Sequence, residues 1–235
     1  MIKHPVIWLL FGGALLSGIF VGVRMKENYE INEMLSYMES RYGEEFGYVE
    51  SYGGQPGKPY ITMLAKRRNN PSQVALVRVR SFKGRRYYED NFLAYLLRDE
   101  LEKIISEKAE KSFGKCKLYY KIPLFVFPED FHSNMSAELF LKNPYAMPQF
   151  FIYPKSATKD KAEWEKKLSS FITRNAREGY IIRGTLSLPA SDAHYEMIQA
   201  DNFAESDYLG YEAYGELTFS MNDEGKIKYM RWINQ

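Results

Sequence analysis

Apolar positions fall at helical spacing in three stretches of the chain. Ile31, Met34, Leu35, Met38 and Tyr42 share one face of a first helix, which Gly43 stops. A second begins near Asp90 and aligns Leu93, Leu97, Leu101, Ile104 and Ile105; Lys108 and Lys111 suit the negative end of its dipole, and Gly114 closes it. A third opens with Asp160 and Glu163 in capping-box spacing, sets Trp164, Leu168, Phe171 and Ile172 on one side, and ends at Gly179. Between the helices the pattern is that of strands: Phe46–Tyr52, Tyr60–Ala65 and Val74–Phe82 before the second helix, and Cys116–Ile122 after it. Gln149–Tyr153 leads into the third helix, with Tyr180–Leu188, Gly210–Met221 and Lys226–Ile233 beyond. Asn222-Asp223-Glu224-Gly225 joins the last two strands as a hairpin, glycine supplying the positive φ.

The order α-βββ-α-β, then β-α-βββ, segregates strands from helices without strict alternation. It predicts an α+β fold with mainly antiparallel sheet and three amphipathic helices. The folded part, residues 26–235, is either one domain or two lobes, 26–122 and 148–235, joined by a Pro-rich segment 123–147 that holds Pro123, Pro128 and Pro144.

Ahead of this lies an uncharged run, Pro5–Val23, whose nineteen residues span roughly 28 Å as a helix, enough to cross a bilayer's hydrocarbon core. Residues 1–25 are therefore expected to be an N-terminal transmembrane anchor or a signal peptide. The exit Gly18-Ile19-Phe20-Val21-Gly22-Val23 offers no clean small-x-small cleavage pair, which favours an uncleaved signal-anchor. Basic residues nearly tie across the run: Lys3 and the amino terminus on one side, Arg24 and Lys26 on the other. The short head favours a single-pass cell-membrane protein with its C-terminal domain extracytoplasmic.

Candidate chemistry is sparse. Cys116 is the one cysteine, which excludes an intramolecular disulfide, and it reads as a small apolar strand residue. The zinc-protease, dithiol and nucleophile-elbow motifs are missing, so no catalytic residue is assigned. Gly53-Gly54-Gln55-Pro56-Gly57-Lys58-Pro59 fails as a phosphate loop, because Tyr52 stands at the first glycine and Pro59 at the magnesium-binding hydroxyl; it reads as a turn. His132 beside Asp130, and His194 between Asp192 and Glu196, are too isolated for a metal pair. Asp201, Glu205 and Asp207 lack the spacing of a calcium loop. The expectation is no metal and no cofactor.

Net charge is only +2 but segregated. Residues 51–88 hold no acid and nine bases: Lys58, Lys66, Arg67, Arg68, Arg78, Arg80, Lys83, Arg85 and Arg86. Residues 184–225 hold no Lys or Arg and nine acids. In Val77-Arg78-Val79-Arg80, strand alternation puts both arginines on one face and both valines on the other. Lys66, Arg67, Arg68, Arg78, Arg80, Lys83, Arg85 and Arg86 are thus the candidate basic surface, for anionic lipid, wall polymer or an acidic partner. The alternative is that the basic and acidic strands pair with one another across a sheet. Tyr208, Tyr211 and Tyr214 are a candidate aromatic interface, against cross-strand packing as the plainer role. Nucleic acid is not expected as a partner, since no recognition motif appears.

Leu16-Ser17-Gly18-Ile19 resembles a lipobox in which isoleucine stands where the lipidated cysteine belongs. With its anchor and its Tyr- and Lys-rich α+β domain, the chain resembles the uncharacterised lipoprotein-like, membrane-anchored surface proteins of Gram-positive bacteria. The order anchor, helix, sheet is similar to that of conjugation-channel subunits with an NTF2-like domain, and small anchored immunity proteins share the outline; both are analogies of fold. The expected function is a non-enzymatic, membrane-tethered domain that binds another protein, of the immunity or secretion/conjugation-apparatus kind. A binding module for anionic lipid or cell-wall polymer is the alternative, and an enzyme with an unrecognised site the third reading.

Overall fold

The structure is a computed structural model that describes residues 28–53, 60–155, 160–203 and 213–233. The expected anchor at 1–25, the lipobox-like residues, most of the glycine-rich turn at 53–59, Glu205, Asp207, Tyr208 and Tyr211 lie outside the described residues. No helix among the described residues is long and apolar enough to cross a membrane.

Among the described residues, five helices and two mostly antiparallel sheets make an α+β fold. The chain divides into two compact units between Asp90 and Asn91. In the first, helix α1 (28–42) is followed by a four-stranded antiparallel meander of β1 (Phe46–Gly53), β2 (Tyr60–Arg67), β3 (Asn70–Phe82) and β4 (Arg85–Asp90). Met34 and Met38 of α1 are fully buried, with Met63, Ala65, Ala75 and Val77 from the sheet. Gly43, at φ 65°, ends α1 as its spacing predicts, its N–H donating to the Glu39 carbonyl at 2.8 Å.

In the second unit the elements are α2 (Phe92–Phe113), β5 (Cys116–Lys121), α3 (Ala137–Lys142), β6 (Gln149–Pro154), α4 (Lys161–Arg177), β7 (Arg183–Pro189), α5 (Asp192–Met197), β8 (Ala213–Met221) and β9 (Ile227–Ile233). The strands form one sheet in the order β5-β6-β7-β8-β9. Only β6 and β7 run parallel, joined through α4 as a βαβ crossover. Buried residues of α2 (Leu97, Leu101, Ile105, Phe113) and of α4 (Trp164, Leu168, Phe171) share a core with Phe150, Ile152, Leu186 and Phe219 from the sheet. Asp160 caps α4 as predicted, accepting from the Ala162 and Glu163 N–H groups at 2.9 and 3.3 Å.

Three expectations change. Arg85–Asp90 is a fourth strand of the first sheet, unsignalled because Arg85-Arg86-Tyr87-Tyr88-Glu89-Asp90 has no aliphatic side chain. The segment 123–147 does not separate the units. It holds α3, and Phe127, Phe131 and Phe140 sit at 0–1% exposure in the main core. The two unit boundaries expected on either side of it also fail, since β5 and β6 pair directly across it, from Cys116↔Pro154 to Lys121↔Gln149. A second short helix, α5, occupies the Asp192–Met197 stretch, where Ser191 Oγ accepts from the His194 N–H.

Candidate functional site

The expected basic surface is carried by β2, β3, β4 and the turns between them. Alternation places Val77 and Val79 against the core and leaves Arg78 half-buried and Arg80 exposed on the opposite face. Acids brought in by the fold meet most of these bases. Glu89, on β4 opposite Arg78 in register, lies 3.2 Å from Arg80 and 4.0 Å from Arg78. Arg78 also lies over the Tyr60 ring at 4.9 Å and reaches Thr62 Oγ1 at 3.4 Å. Arg67 forks onto Glu44, its Nε donating to Oε2 at 3.2 Å, and donates from Nη1 to Gln73 at 3.2 Å. Arg68 faces Glu45 at 3.7 Å, and Arg86 pairs with Glu33 and, at 3.4 Å, with Glu30.

The pairing therefore comes from residues adjoining the basic run. The acidic strands β7 and β8 belong to the other sheet and do not pair with β2, β3 or β4. Lys66, Lys83 and Arg85 are exposed and make no ion pair among the described residues. Lys83 (φ 50°) and Gly84 (φ 76°) form the β3–β4 turn, the two left-handed residues that a tight hairpin requires. Beside them Phe82 is 60% exposed. Arg86 and Tyr88 both bind Glu33, so this tip lies at the N-terminal end of α1.

At the other end of β4, Asp90 is buried and accepts from both Tyr37 and Tyr42 hydroxyls, at 2.9 and 2.7 Å, with Arg41 Nε at 3.5 Å. Burial first, and then the Asp90 charge, push both phenols far above their ordinary range, so they remain donors at any physiological pH. This cluster clasps α1 to β4.

The second unit holds a feature the sequence reading passed over. Arg183, the first residue of β7, lines two cavities at the end of the five-stranded sheet. The larger, of about 640 Å³, also meets Pro144, Ile182, Met221, Asp223 and Lys228. The smaller, of about 220 Å³, is walled by Tyr120, Ile122, Pro123 and Phe125, with Lys121 and Gln149. Arg183 Nε is buried without a hydrogen-bond partner among the described residues, and so is the Tyr120 hydroxyl. The guanidinium lies 6.0 Å from the Phe125 ring. The signal was one charge in the otherwise uncharged run Tyr180-Ile181-Ile182-Arg183-Gly184-Thr185-Leu186.

No protein-family model matches this chain. No curated protein matches it either. Among solved structures, a DUF5037 family protein from Ruminococcus gnavus is similar at 14% identity, covering 83% of this chain and 93% of that one, with a TM-score of 0.41.

The remaining candidates are dispersed. Among the described residues no group of three His, Cys, Asp or Glu side chains is placed to hold a metal ion. His132 is exposed in a turn and His194 sits on α5, so the two histidines belong to separate segments. Cys116 is half-buried at the start of β5; burial, with Glu110 nearby, pushes its thiol up to about 12, a poor nucleophile. Tyr214 is 43% exposed on β8.

Proposed function

We propose that this chain is a non-enzymatic, single-pass membrane protein whose extracytoplasmic α+β domain binds another protein, in the manner of an immunity protein or a secretion- or conjugation-apparatus component. Strand β9 supports the protein-binding part. It is an outer strand of its sheet, and while Trp232 turns inward to donate to Glu165 at 2.7 Å, Ile227, Tyr229 and Ile233 are 42–44% exposed. An open edge with apolar side chains suits strand addition by a partner. A photo-crosslinker at Tyr229 in intact cells is expected to trap one discrete adduct, and the same label at exposed Tyr145 none. Equal labelling at both positions would count against the edge.

The lipid reading is favoured by a separate observation, the placement of the β3–β4 tip. Phe82, Lys83 and Arg85 project at the same end of the first unit as the start of α1. Residue 28 follows Val23 by five residues, at most about 18 Å of chain. A membrane crossed by 5–23 would therefore hold the tip near its headgroups, where two bases contribute about 2 kcal/mol on an anionic surface. With the full chain in vesicles, a nitroxide on Phe82→Cys is expected to be shielded from aqueous nickel only when anionic lipid is present. Shielding should vanish in Lys83→Glu/Arg85→Glu and in about 0.5 M salt; shielding indifferent to both would remove the lipid reading. Protease treatment of intact cells carrying a C-terminal tag decides orientation, tag loss from the membrane fraction placing the domain outside.

A further inference from the structure

Buried polar groups nearly always find partners, so two orphaned donors around one cavity call for an explanation. Tyr120 is 1% exposed, yet its hydroxyl has no hydrogen-bond partner among the described residues. Arg183, which borders the same cavity, has a buried Nε equally without one and no ion pair among the described residues. A guanidinium is permanently charged and offers five donors in a planar fork, the geometry that matches a carboxylate.

Charge is distributed unevenly around Arg183. The 220 Å³ cavity is bordered by Lys121 and Arg183 and by no acid. The adjoining 640 Å³ cavity carries Asp223 and Glu224 as well as Lys228, so its charges offset. An anion is thus drawn to the smaller cavity, while the rest of a ligand has room in the larger. The walls of the smaller cavity (Ile122, Pro123, Phe125) are apolar, which suits a hydrocarbon body and disfavours a fully hydrated ion such as phosphate. Between the two cavities stands Met147, a non-glycine residue held at φ 40° that lines both. Backbone strain of that kind persists only where the surroundings impose it, and it clusters at ligand sites.

We propose that the smaller cavity binds the carboxylate of an apolar acid. Arg183 supplies the positive charge at the carboxylate, Tyr120 donates its hydroxyl, and Ile122, Pro123 and Phe125 enclose the ligand's body. Lys121, whose Nζ lies over the Phe151 ring at 5.7 Å, adds only longer-range positive potential. The acid is either a free small molecule or the C-terminus of a polypeptide whose chain leaves through the larger cavity. The site stands on the second unit alone and does not involve the β3–β4 tip. The smaller cavity has no β9 residue in its lining, whereas the larger is also lined by Lys228 and Tyr229 of β9, so only a polypeptide ligand would reach that strand.

The test uses the full chain in neutral detergent, titrated with N-acetyl-leucine, its amide, inorganic phosphate, and an acetylated pentapeptide ending in leucine with a free or amidated terminus. Saturable binding of a free acid is expected, weakened at least about tenfold by amidation or by Arg183→Gln. Tyr120→Phe should weaken binding several-fold while the protein melts no lower, because the hydroxyl it removes has no partner in the fold. Tighter binding of the pentapeptide than of N-acetyl-leucine assigns a chain terminus; the reverse assigns a small acid. Absence of saturation by either acid at about 10 mM would overturn the proposal. So would equal affinity for acid and amide, or phosphate binding as tightly as the acid. If Arg183→Gln does not fold, the amide comparison and Tyr120→Phe still decide.

Discussion

A methyl group on Gly184 would sit 2.2 Å from the Phe150 carbonyl oxygen and 3.0 Å from the Phe219 ring, closer than a real side chain approaches. Gly184 pairs with Phe150 in the one parallel ladder among the described residues, so neither neighbour can withdraw without opening that ladder. Gly184→Ala is expected to cost about 2–3 kcal/mol, read as a lower urea midpoint. Asp90 is the corresponding point in the first unit. Asp90→Ala leaves two phenol donors and Arg41 without their carboxylate, and should cost about 3 kcal/mol by the same measure. Cys116 gives a pH signature. Its thiol is raised from 9.0 to about 12, so the unfolded chain loses that proton first. Stability from this residue is then complete below about pH 9 and declines as pH climbs toward 12. At pH 8 the native thiol should react with iodoacetamide far more slowly than in urea; equal rates would show that the burial is wrong.

At the scale of elements, the 123–147 segment is the instructive case. Phe127 stacks on Phe131 with centroids 4.9 Å apart, and Phe140 of α3 meets both edge-on at 5.3 and 5.9 Å. This aromatic knot holds an irregular stretch with three prolines against the sheet, so Phe131→Ala is expected to cost about 3–5 kcal/mol. Limited proteolysis of the wild type should spare 123–147, and early cleavage there would contradict the knot. The sequence did not reveal it, because prolines interrupt periodicity and aromatic residues spaced irregularly carry no helical or strand signature. Helices α2 and α4 were legible for the opposite reason: their buried residues recur at three and four positions, and a glycine or a capping Asp marks an end. The β8–β9 hairpin was legible too, from Gly225, whose φ is 74°. Of the sites, the alternation of Arg78 and Arg80 could be read in advance. Their neutralisation could not, since Glu89 belongs to a strand without aliphatic residues. Arg183 was hidden because only tertiary structure reveals that a charge lacks a partner.

At the scale of the molecule, opposite charge runs are housed in different units: 51–88 in the first, 184–225 in the second. The second unit has its own sheet, its own helices and a continuous apolar core, the attributes of an independently folding domain. Residues 91–235 expressed alone are expected to unfold cooperatively with the near-ultraviolet signature of a packed aromatic core. A non-cooperative melt would show that the division at Asp90 is not a folding boundary.

The way α1 lies along β4 has a mechanical consequence. Glu30 and Glu33 near the start of α1 meet Arg86 near the start of β4, while Tyr37 and Tyr42 further along meet Asp90 at its end, so the two elements point the same way. Tension entering at residue 28 and leaving at residue 90 pulls from opposite ends of the unit. It loads the Arg86 and Asp90 clasps, and the hydrogen bonds between β3 and β4, in shear, all at once. A hairpin pulled from one end gives way bond by bond; this arrangement does not. Held by its upstream chain and tugged from downstream, the first unit would act as a stiff coupling.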